Sequence, residues 1–384
     1  MKTLNCNEEM LNPNIVASDY CSVIDESGKR YVDFESGVWC TSLGHNNKRI
    51  HDAIVRQLNT VSHVGYRYTA KIVDEAAEKV LDLFGFTDGK CVFLSSGSEA
   101  VEFGVQLAKR IIGKPYLLCL NGYFLSSYGI SKARSKEEWI SLDLSGYDGN
   151  ADDFLKSIPF DAIGVFVFEP GNASGTVKLP PKELIKAIEG KVKENGGVIV
   201  VDEVTTGTGR TGKWFGFEHY GMHPDIVCFG KGIGNGYPVS VVALSKAISD
   251  VAEKSGFKYA QSHQDDPLGC AVVKEVISII EENSLIQRAA EIGTILEYEL
   301  KALKENHSCV KEIRGTGLMF VVEFLQDMSI PLERIHKELF DAGYITGMNK
   351  SVNILRFYPP LIIEAEHITG MARTLDAILH KIII

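Results

Sequence analysis

An acid and a lysine each follow an apolar run in the middle of the chain. Asp202 comes directly after the run VIVV (198–201), and Lys231 follows DIVCF (225–229) across a single glycine. Continuous apolar runs of this length are typical of strands that are covered on both faces. Because ligands bind at the carboxyl ends of strands in an open α/β sheet, we expect both side chains to face one site.

A phosphate-binding position lies upstream of these two residues. Gly97 and Ser98 stand in SSGSEA, at the start of a predicted helix. The free N–H groups and the positive dipole end of a helix N-terminus favour a phosphate group. A phosphate cradle, a buried acid and a lysine with apolar neighbours are three of the parts that pyridoxal 5′-phosphate (PLP) chemistry requires. The three features together therefore fit the needs of PLP chemistry.

Other glycine-rich segments give weaker indications of nucleotide binding. The segment from Gly207 to Lys213 (GTGRTGK) matches the first part of a P-loop, but Trp214 stands where Ser or Thr must reach Mg²⁺. The glycines around Lys231 (GKGIGNG) do not give the spacing G-x-G-x-x-G, so a dinucleotide fingerprint is also weak. No G-x-S-x-G motif supports a Ser/His/Asp hydrolase.

Strand and helix patterns alternate through the middle of the chain. Helical patterns at 98–112 and 181–197 lie between apolar runs, and the second ends in the Gly-Gly pair of a helix C-cap. This alternation predicts an α/β fold with a mostly parallel sheet. The last two runs are too close in sequence for a helical crossover, so we expect an antiparallel or irregular arrangement there. The six predicted strands are CVFL (91–94), YLLCL (116–120), IGVFVF (163–168), VIVV (198–201), DIVCF (225–229) and VSVVAL (239–244).

The C-terminal part has a different pattern and predicts a smaller α+β domain. At 384 residues the chain suits one large domain and a smaller one. We expect residues 1–45 to join the small domain, residues 46–285 to form the large cofactor-binding domain, and residues 286–384 to complete the small domain. The supporting segments are helical patterns near 284–305, 331–342 and 364–381, the strand LMFVVEF (318–324) and the N-terminal segment GKRYVDF (28–34).

The composition favours a small-molecule enzyme of the cytosol. The net charge of −10 repels nucleic acid and anionic membranes, so small molecules are the expected partners. The eight cysteines form no C-x-x-C pair and no Cys/His cluster at metal-ligand spacing, which predicts reduced thiols and no metal. The polar N-terminal stretch does not match a signal peptide, and no apolar run reaches membrane-spanning length.

Several motifs in order resemble the class III aminotransferases, a branch of the fold-type I PLP enzymes. They span roughly residues 30 to 365, and their ordered occurrence is far more specific than any one motif. The resemblance implies a fold-type I architecture, with a large, mostly parallel domain and a smaller α+β domain built from both ends of the chain. The motifs are YVDFESGVWCTSLGH, SSGSEAVE, FEP followed by PP, VVDEVTTGTGRTGK, DIVCFGKGIGNGYP, QSHQDDPLGCA, IRGTGLM and ILRFYPPL.

The resemblance gives Lys231 and Asp202 catalytic roles. Lys231 is the lysine that forms the Schiff base with the cofactor and then moves a proton. Asp202 pairs with the pyridine nitrogen of PLP and keeps it protonated. The alternatives are an exposed loop lysine for Lys231 and a helix N-cap for Asp202.

Further cofactor contacts are implied at five positions besides Gly97 and Ser98. Tyr123 would stack on the cofactor ring, although Phe124 replaces the histidine that usually follows, and Val204 would contact the opposite face. Glu169 and Asn172 occupy motif positions near the phenolic side of the cofactor. A core role for Tyr123 and a loop-holding role for Glu169 and Asn172 remain alternatives. Ser262, in QSHQDDPLG, would donate a hydroxyl to the phosphate of the neighbouring subunit's cofactor, which implies a homodimer with shared sites.

Three residues are candidates for substrate binding. Arg356 matches the family arginine that binds a substrate carboxylate with its bidentate fork, with a surface salt bridge as the alternative. Trp39 would wall the substrate pocket, although hydrophobic packing explains it equally well. Ser174 stands where glutamate-using members carry a glutamate that neutralises this arginine. We therefore expect Arg356 to lack a partner unless it moves or meets a carboxylate, and we expect the enzyme to prefer substrates with a carboxylate at that subsite.

The expected function is transfer of an amino group from an amino acid or ω-amino acid to a 2-oxo acid acceptor. A PLP-dependent racemase, epimerase or aminomutase shares the same residues and is the first alternative. A PLP-fold binding module without turnover is a second alternative, against which the intact Lys231 and Asp202 argue. The sequence does not identify the amino donor.

Overall fold

The computed structural model describes residues 11, 14–172, 175–326 and 331–382. Within these ranges fifteen strands are present. They are β1 (Ile15–Asp19), β2 (Ser22–Asp25), β3 (Arg30–Asp33), β4 (Lys90–Leu94), β5 (Tyr116–Leu120), β6 (Trp139–Leu142), β7 (Ile163–Phe168), β8 (Val198–Asp202), β9 (Ile226–Phe229), β10 (Ser240–Leu244), β11 (Val310–Thr316), β12 (Met319–Phe324), β13 (Tyr344–Ile345), β14 (Gly347–Asn349) and β15 (Ile354–Phe357).

Eleven regular α-helices and one irregular turn accompany these strands in the described ranges. The irregular turn is α1 (Ser36–Trp39), whose four residues have positive φ angles and therefore wind left-handed. The α-helices are α2 (Lys48–Leu58), α3 (Lys71–Phe84), α4 (Gly97–Ile112), α5 (Gly129–Ala133), α6 (Ala151–Leu155), α7 (Lys182–Glu194), α8 (Lys246–Lys254), α9 (Pro267–Glu282), α10 (Leu285–Asn306), α11 (Leu332–Asp341) and α12 (Ala365–Ile382).

A seven-stranded sheet forms the centre of the molecule, with strand order β4-β10-β9-β8-β7-β5-β6. Neighbours from β9 to β6 are parallel, and β10 runs antiparallel to both β9 and β4. Every residue of β7, β8, β9 and β10 is buried, as expected for strands covered on both faces. The predicted α/β class, the mostly parallel sheet and the antiparallel arrangement of its last two predicted strands are confirmed.

Helix α4 covers one face of this sheet and carries its N-terminus to the carboxyl ends of the strands. Ser96 caps the helix by accepting a hydrogen bond from the backbone N–H of Glu99 at 3.3 Å. Gly113 ends it in a left-handed C-cap. Eight of its sixteen residues are buried, so packing against the sheet fixes where the first turn lies.

Two four-stranded sheets lie outside the central sheet, with orders β1-β2-β3-β13 and β11-β12-β15-β14. The parallel pairing of β3 with β13 joins the N-terminal and C-terminal parts of the chain. The domain boundaries expected from the sequence remain a prediction. No helix in the described part of the chain is long and apolar enough to cross a membrane, and the described cysteines are free thiols.

Candidate active site

A cavity of about 390 Å³ opens at the carboxyl ends of β8 and β9, beside the first turn of α4. Its volume falls within the range of small-molecule and cofactor sites, roughly 300–1,000 Å³. The lining residues come from six separate segments of the chain. They are Trp39, Ser96, Gly97, Ser98, Phe124, Leu125, Ser127, Glu169, Asp202, Val204, Thr205 and Lys231.

Lys231 enters the cavity directly after β9. Gly230 separates it from the strand, and the lysine itself has a left-handed backbone (φ 49°) at the start of a single 3₁₀ turn. Its Nζ donates a hydrogen bond to Thr205 Oγ1 at 2.7 Å and lies 4.4 Å from the ring centroid of Trp39. Burial lowers the pKa of Lys231, although nearby Asp202 and Glu169 oppose this shift. The arrangement favours a neutral amine more than an exposed lysine would.

Asp202 is the last residue of β8, and its side chain is almost fully buried. Its Oδ1 accepts a hydrogen bond from the backbone N–H of Val204 at 2.9 Å. Burial raises the pKa of this carboxyl, while the Val204 N–H and the charge of Lys231 act in the opposite direction. The chain continues from Asp202 into turns and not into an α-helix, so the helix N-cap alternative does not apply.

Gly97 and Ser98 form the first turn of α4 at the edge of the cavity. A side chain at Gly97 would collide with both methyl groups of Val204, so a Cβ is excluded there unless Val204 moves. Ser98 Oγ accepts a hydrogen bond from the backbone N–H of Ser127 at 3.0 Å. The backbone N–H groups of this turn are therefore held in place and remain close to the cavity.

Of the neighbouring pair Tyr123 and Phe124, Phe124 lines the cavity, whereas the sequence pointed to Tyr123. Tyr123 is buried, and its hydroxyl donates a hydrogen bond to the carbonyl of Lys178 at 3.1 Å. Phe124 is 44% exposed and lines the cavity. The geometry favours the core role that the sequence left open for Tyr123.

Glu169 and Asn172 lie close in sequence but differ in position. Glu169 follows β7 and lines the cavity as a buried side chain. Asn172 is also buried, but it is not among the lining residues, and its Nδ2 donates to Thr176 Oγ1 at 3.3 Å. This contact favours the loop-holding alternative for Asn172.

Trp39 connects the cavity to Arg356. The Arg356 guanidinium lies 5.2 Å from the ring centroid of Trp39, the same ring over which the Lys231 amine lies. Arg356 is not itself among the lining residues. The expectation that it lacks a partner is wrong, because Glu35 Oε1 lies 3.7 Å from its Nε. Both side chains are largely buried, so the surface salt bridge alternative does not apply either.

Two further sequence candidates, Ser262 and Ser174, remain to be considered. Ser262 is exposed and outside the cavity of this single chain. Ser174 falls outside the described residues, so its predicted role remains a prediction.

Sequence reasoning missed several residues that the fold brings to the site. Thr205 accepts the hydrogen bond from the lysine amine. Its only sequence signal was its place in a pair of threonines, Thr205 and Thr206, that begins three residues after Asp202. Ser96 and Ser127 flank the helix turn, and Ser96 had the visible signature of an N-cap. Glu35 had no sequence signal, because its partner Arg356 lies at the other end of the chain.

Comparison with known proteins places this geometry in a family. The family model for "Aminotransferase class-III" matches residues 4–122 and 154–379. The chain belongs to the class III aminotransferases. An acetylornithine aminotransferase from Caldanaerobacter subterraneus is 31% identical over 386 residues, covering 96% of this chain and 95% of that protein. An alanine/serine racemase from Pyrococcus horikoshii is 27% identical, covering 89% of this chain and 80% of that protein.

A solved structure supports the same assignment. An aminotransferase from Bacillus anthracis superposes with a TM-score of 0.88 at 26% identity, covering 97% of this chain and 94% of that chain. This class III aminotransferase is therefore an enzyme of the fold-type I architecture, as the sequence predicted.

PLP is the cofactor of this family, and the residues of the cavity fit it. The absent Cβ at Gly97 keeps the α4 turn close to Val204, beside a buried acid and a desolvated lysine. These groups match a phosphate, a pyridine nitrogen and an aldehyde, respectively.

Proposed function

We propose that this class III aminotransferase transfers an amino group from an amino acid or ω-amino acid to a 2-oxo acid, with Lys231 and Asp202 as the catalytic residues. The observation that carries the proposal is the convergence of both side chains on one cavity at the ends of neighbouring parallel strands. The N-terminus of α4 opens onto the same cavity and supplies the phosphate-binding position.

PLP supplies the electron sink of the reaction, and the protein residues control protons and charges around it. Asp202 is buried at the end of β8, and its carboxylate would pair with the protonated pyridine nitrogen. Backbone N–H groups at Gly97 and Ser98 would bind the phosphate, with Val204 against one face of the ring. Glu169 would act near the phenolic oxygen.

Lys231 is proposed to bind the cofactor covalently and, once released, to move a proton at its Nζ. Two features support this role: burial lowers the pKa of the amine, and Thr205 Oγ1 orients it at 2.7 Å. Thr205 is a positioning residue in this proposal, because it acts through Lys231. Trp39 would wall the substrate side, and Arg356 beyond it would bind a substrate carboxylate.

We also propose a homodimer in which Ser262 contributes its hydroxyl to the partner's cofactor phosphate. Its exposure on a surface segment is compatible with a contact outside its own chain. Several large apolar side chains are exposed as well and are candidates for burial against a partner chain. They include Val16, Tyr20, Val38, Val55, Tyr66 and Tyr68. The cytosolic location also remains a prediction.

Half-reactions test the proposal directly. The PLP-loaded enzyme is incubated with single amino donors and no acceptor, and the cofactor is then extracted and analysed. A transaminase converts PLP to its amine form in this experiment. A racemase leaves PLP unchanged and exchanges the Cα hydrogen with deuterated solvent, and that result would replace the proposal, given the racemase among the relatives. If neither reaction occurs with any donor, the result favours the binding-module alternative.

A further inference from the structure

Glu35 is a buried carboxylate beside Arg356 that the proposed reaction leaves without a role. It follows β3 and precedes Trp39 on the left-handed turn α1. Its Oε1 lies 3.7 Å from Arg356 Nε, and the two side chains are 12% and 15% exposed. A carboxylate of the protein thus already lies next to the arginine that is proposed to bind a carboxylate of the substrate.

The surrounding backbone is arranged around this ion pair. Gly347 stands opposite Arg356 in the pairing of β14 with β15. A Cβ at Gly347 would collide with Glu35 Oε1 and press on Arg356 Nε at 2.9 Å. Asp33 fixes the turn by accepting hydrogen bonds from the backbone N–H groups of Glu35 and Gly37, each at 2.8 Å. The contact between Glu35 and Arg356 is therefore a property of the fold and not of two long surface side chains.

We propose that Glu35 competes with substrate carboxylates for Arg356, and that a substrate carboxylate binds there together with one proton taken up by Glu35. This inference rests on the proposed role of Arg356. Two carboxylates beside one guanidinium in a largely buried site repel each other, and the repulsion is relieved when one of them is protonated. Glu35 is then a specificity-determining residue, since it sets how tightly carboxylate-bearing substrates bind.

The protonation step is accessible near neutral pH. Burial raises the pKa of Glu35 to about 7, while the positive charge of Arg356 opposes the shift. Below this pH the competitor is neutral and a substrate carboxylate binds freely. Above it, each pH unit weakens binding by about tenfold, because a proton must be taken up. The charged and titratable groups acting around Glu35 are Asp33, Arg210, Arg356 and Tyr358, and His45 reaches it through Asp33.

Calorimetric titration of the PLP-loaded enzyme with propionate tests the proposal. Propionate carries a carboxylate but neither an amine nor a carbonyl, so its binding does not depend on transamination. Titrations from about pH 6 to about pH 9, in buffers of different ionisation enthalpy, give both the Kd and the number of protons taken up. For the wild type we expect uptake of close to one proton at about pH 8 and a Kd that rises with pH.

Glu35→Gln removes the competitor and keeps its size. We expect a Kd that does not change over this pH range and that is about tenfold lower than the wild-type value at about pH 8. Glu189→Gln is the matched control, because Glu189 on α7 is also buried, is not among the cavity-lining residues and accepts a hydrogen bond from the backbone N–H of His223. This control should keep the wild-type pH profile.

The outcomes separate the two proposals. A wild-type enzyme that binds propionate without proton uptake overturns the role of Glu35, and this measurement does not require the variant to fold. A wild-type pH profile in Glu35→Gln overturns it as well. If Arg356→Met instead binds propionate as the wild type does, Arg356 is not the carboxylate site, and that part of the proposed function fails first.

Discussion

Burial disfavours the charged form of both Asp202, at the end of β8, and Lys231, just after β9, and so it shifts their pKa values in opposite directions. It lowers the pKa of Lys231 and so favours the neutral amine that can attack an aldehyde. It raises the pKa of Asp202, so this carboxyl needs a nearby positive charge to stay ionised. A protonated pyridine nitrogen supplies that charge, which is why the two residues complement the same cofactor.

Lys231→Ala tests the covalent role of the lysine. Wild-type enzyme reduced with borohydride in the presence of PLP should carry the cofactor on the peptide that contains Lys231. The variant should carry none, because no other amine lines the cavity among the described residues. Mass spectrometry of the digested protein gives the result, and labelling of a different lysine in wild type would exclude the role of Lys231.

Asp202→Asn tests the role of the acid separately from cofactor binding. We expect the PLP affinity to change little, because the phosphate-binding turn is unaltered, and the half-reaction rate to fall by about 100-fold or more. Asp225→Asn is a suitable control, since Asp225 accepts the backbone N–H of Ile199 at the opposite end of the strands. A near-normal half-reaction rate in Asp202→Asn would contradict the assignment.

At the scale of elements, local sequence signals were sufficient for six of the seven strands of the central sheet and for α4. Continuous apolar runs predicted β7 to β10, and the helical pattern at 98–112 predicted α4 to within one residue at each end. The short strand β6 was not predicted, because four residues carry too little periodicity to separate a strand from a loop. The left-handed turn α1 was also missed, since non-glycine residues rarely adopt such angles without tertiary support.

Gly97→Ala tests whether the close approach of α4 to Val204 forms the cofactor site. The added Cβ must displace the Val204 side chain, so we expect the Kd for PLP to rise by about tenfold. Gly190→Ala, in helix α7 with no atom near the new Cβ, should leave the Kd unchanged. The double variant Gly97→Ala, Val204→Ala should recover part of the affinity, because it removes the methyl groups that collide. An unchanged Kd in Gly97→Ala alone would show that this contact does not shape the site.

At the scale of the whole molecule, the site combines segments that are far apart in sequence. Lys231 and Asp202 come from the central sheet, whereas Trp39 and Arg356 come from the two ends of the chain, which the pairing of β3 with β13 joins. The placement of Asp202 and Lys231 at one cavity could be predicted from the sequence, because each follows its own apolar run. The contact between Glu35 and Arg356 could not, because it depends on how β3 and β15 are placed by tertiary packing.

The proposed homodimer extends this argument beyond one chain, and subunit complementation tests it. Ser262→Ala should raise the PLP concentration needed for half-maximal borohydride labelling by about tenfold, since a hydroxyl contact to a charged phosphate is lost.

A mixed dimer of one Ser262→Ala subunit and one Lys231→Ala subunit is produced by co-expression with two affinity tags. Only the Ser262→Ala subunit keeps Lys231 and can be labelled. If Ser262 acts on the partner's cofactor, that chain receives an intact serine from the Lys231→Ala subunit, and labelling should return to the wild-type PLP concentration. If Ser262 acts within its own chain, labelling should stay at the value of the Ser262→Ala homodimer. Light scattering on the purified protein provides the accompanying check, because a monomeric enzyme would leave no partner to supply the serine.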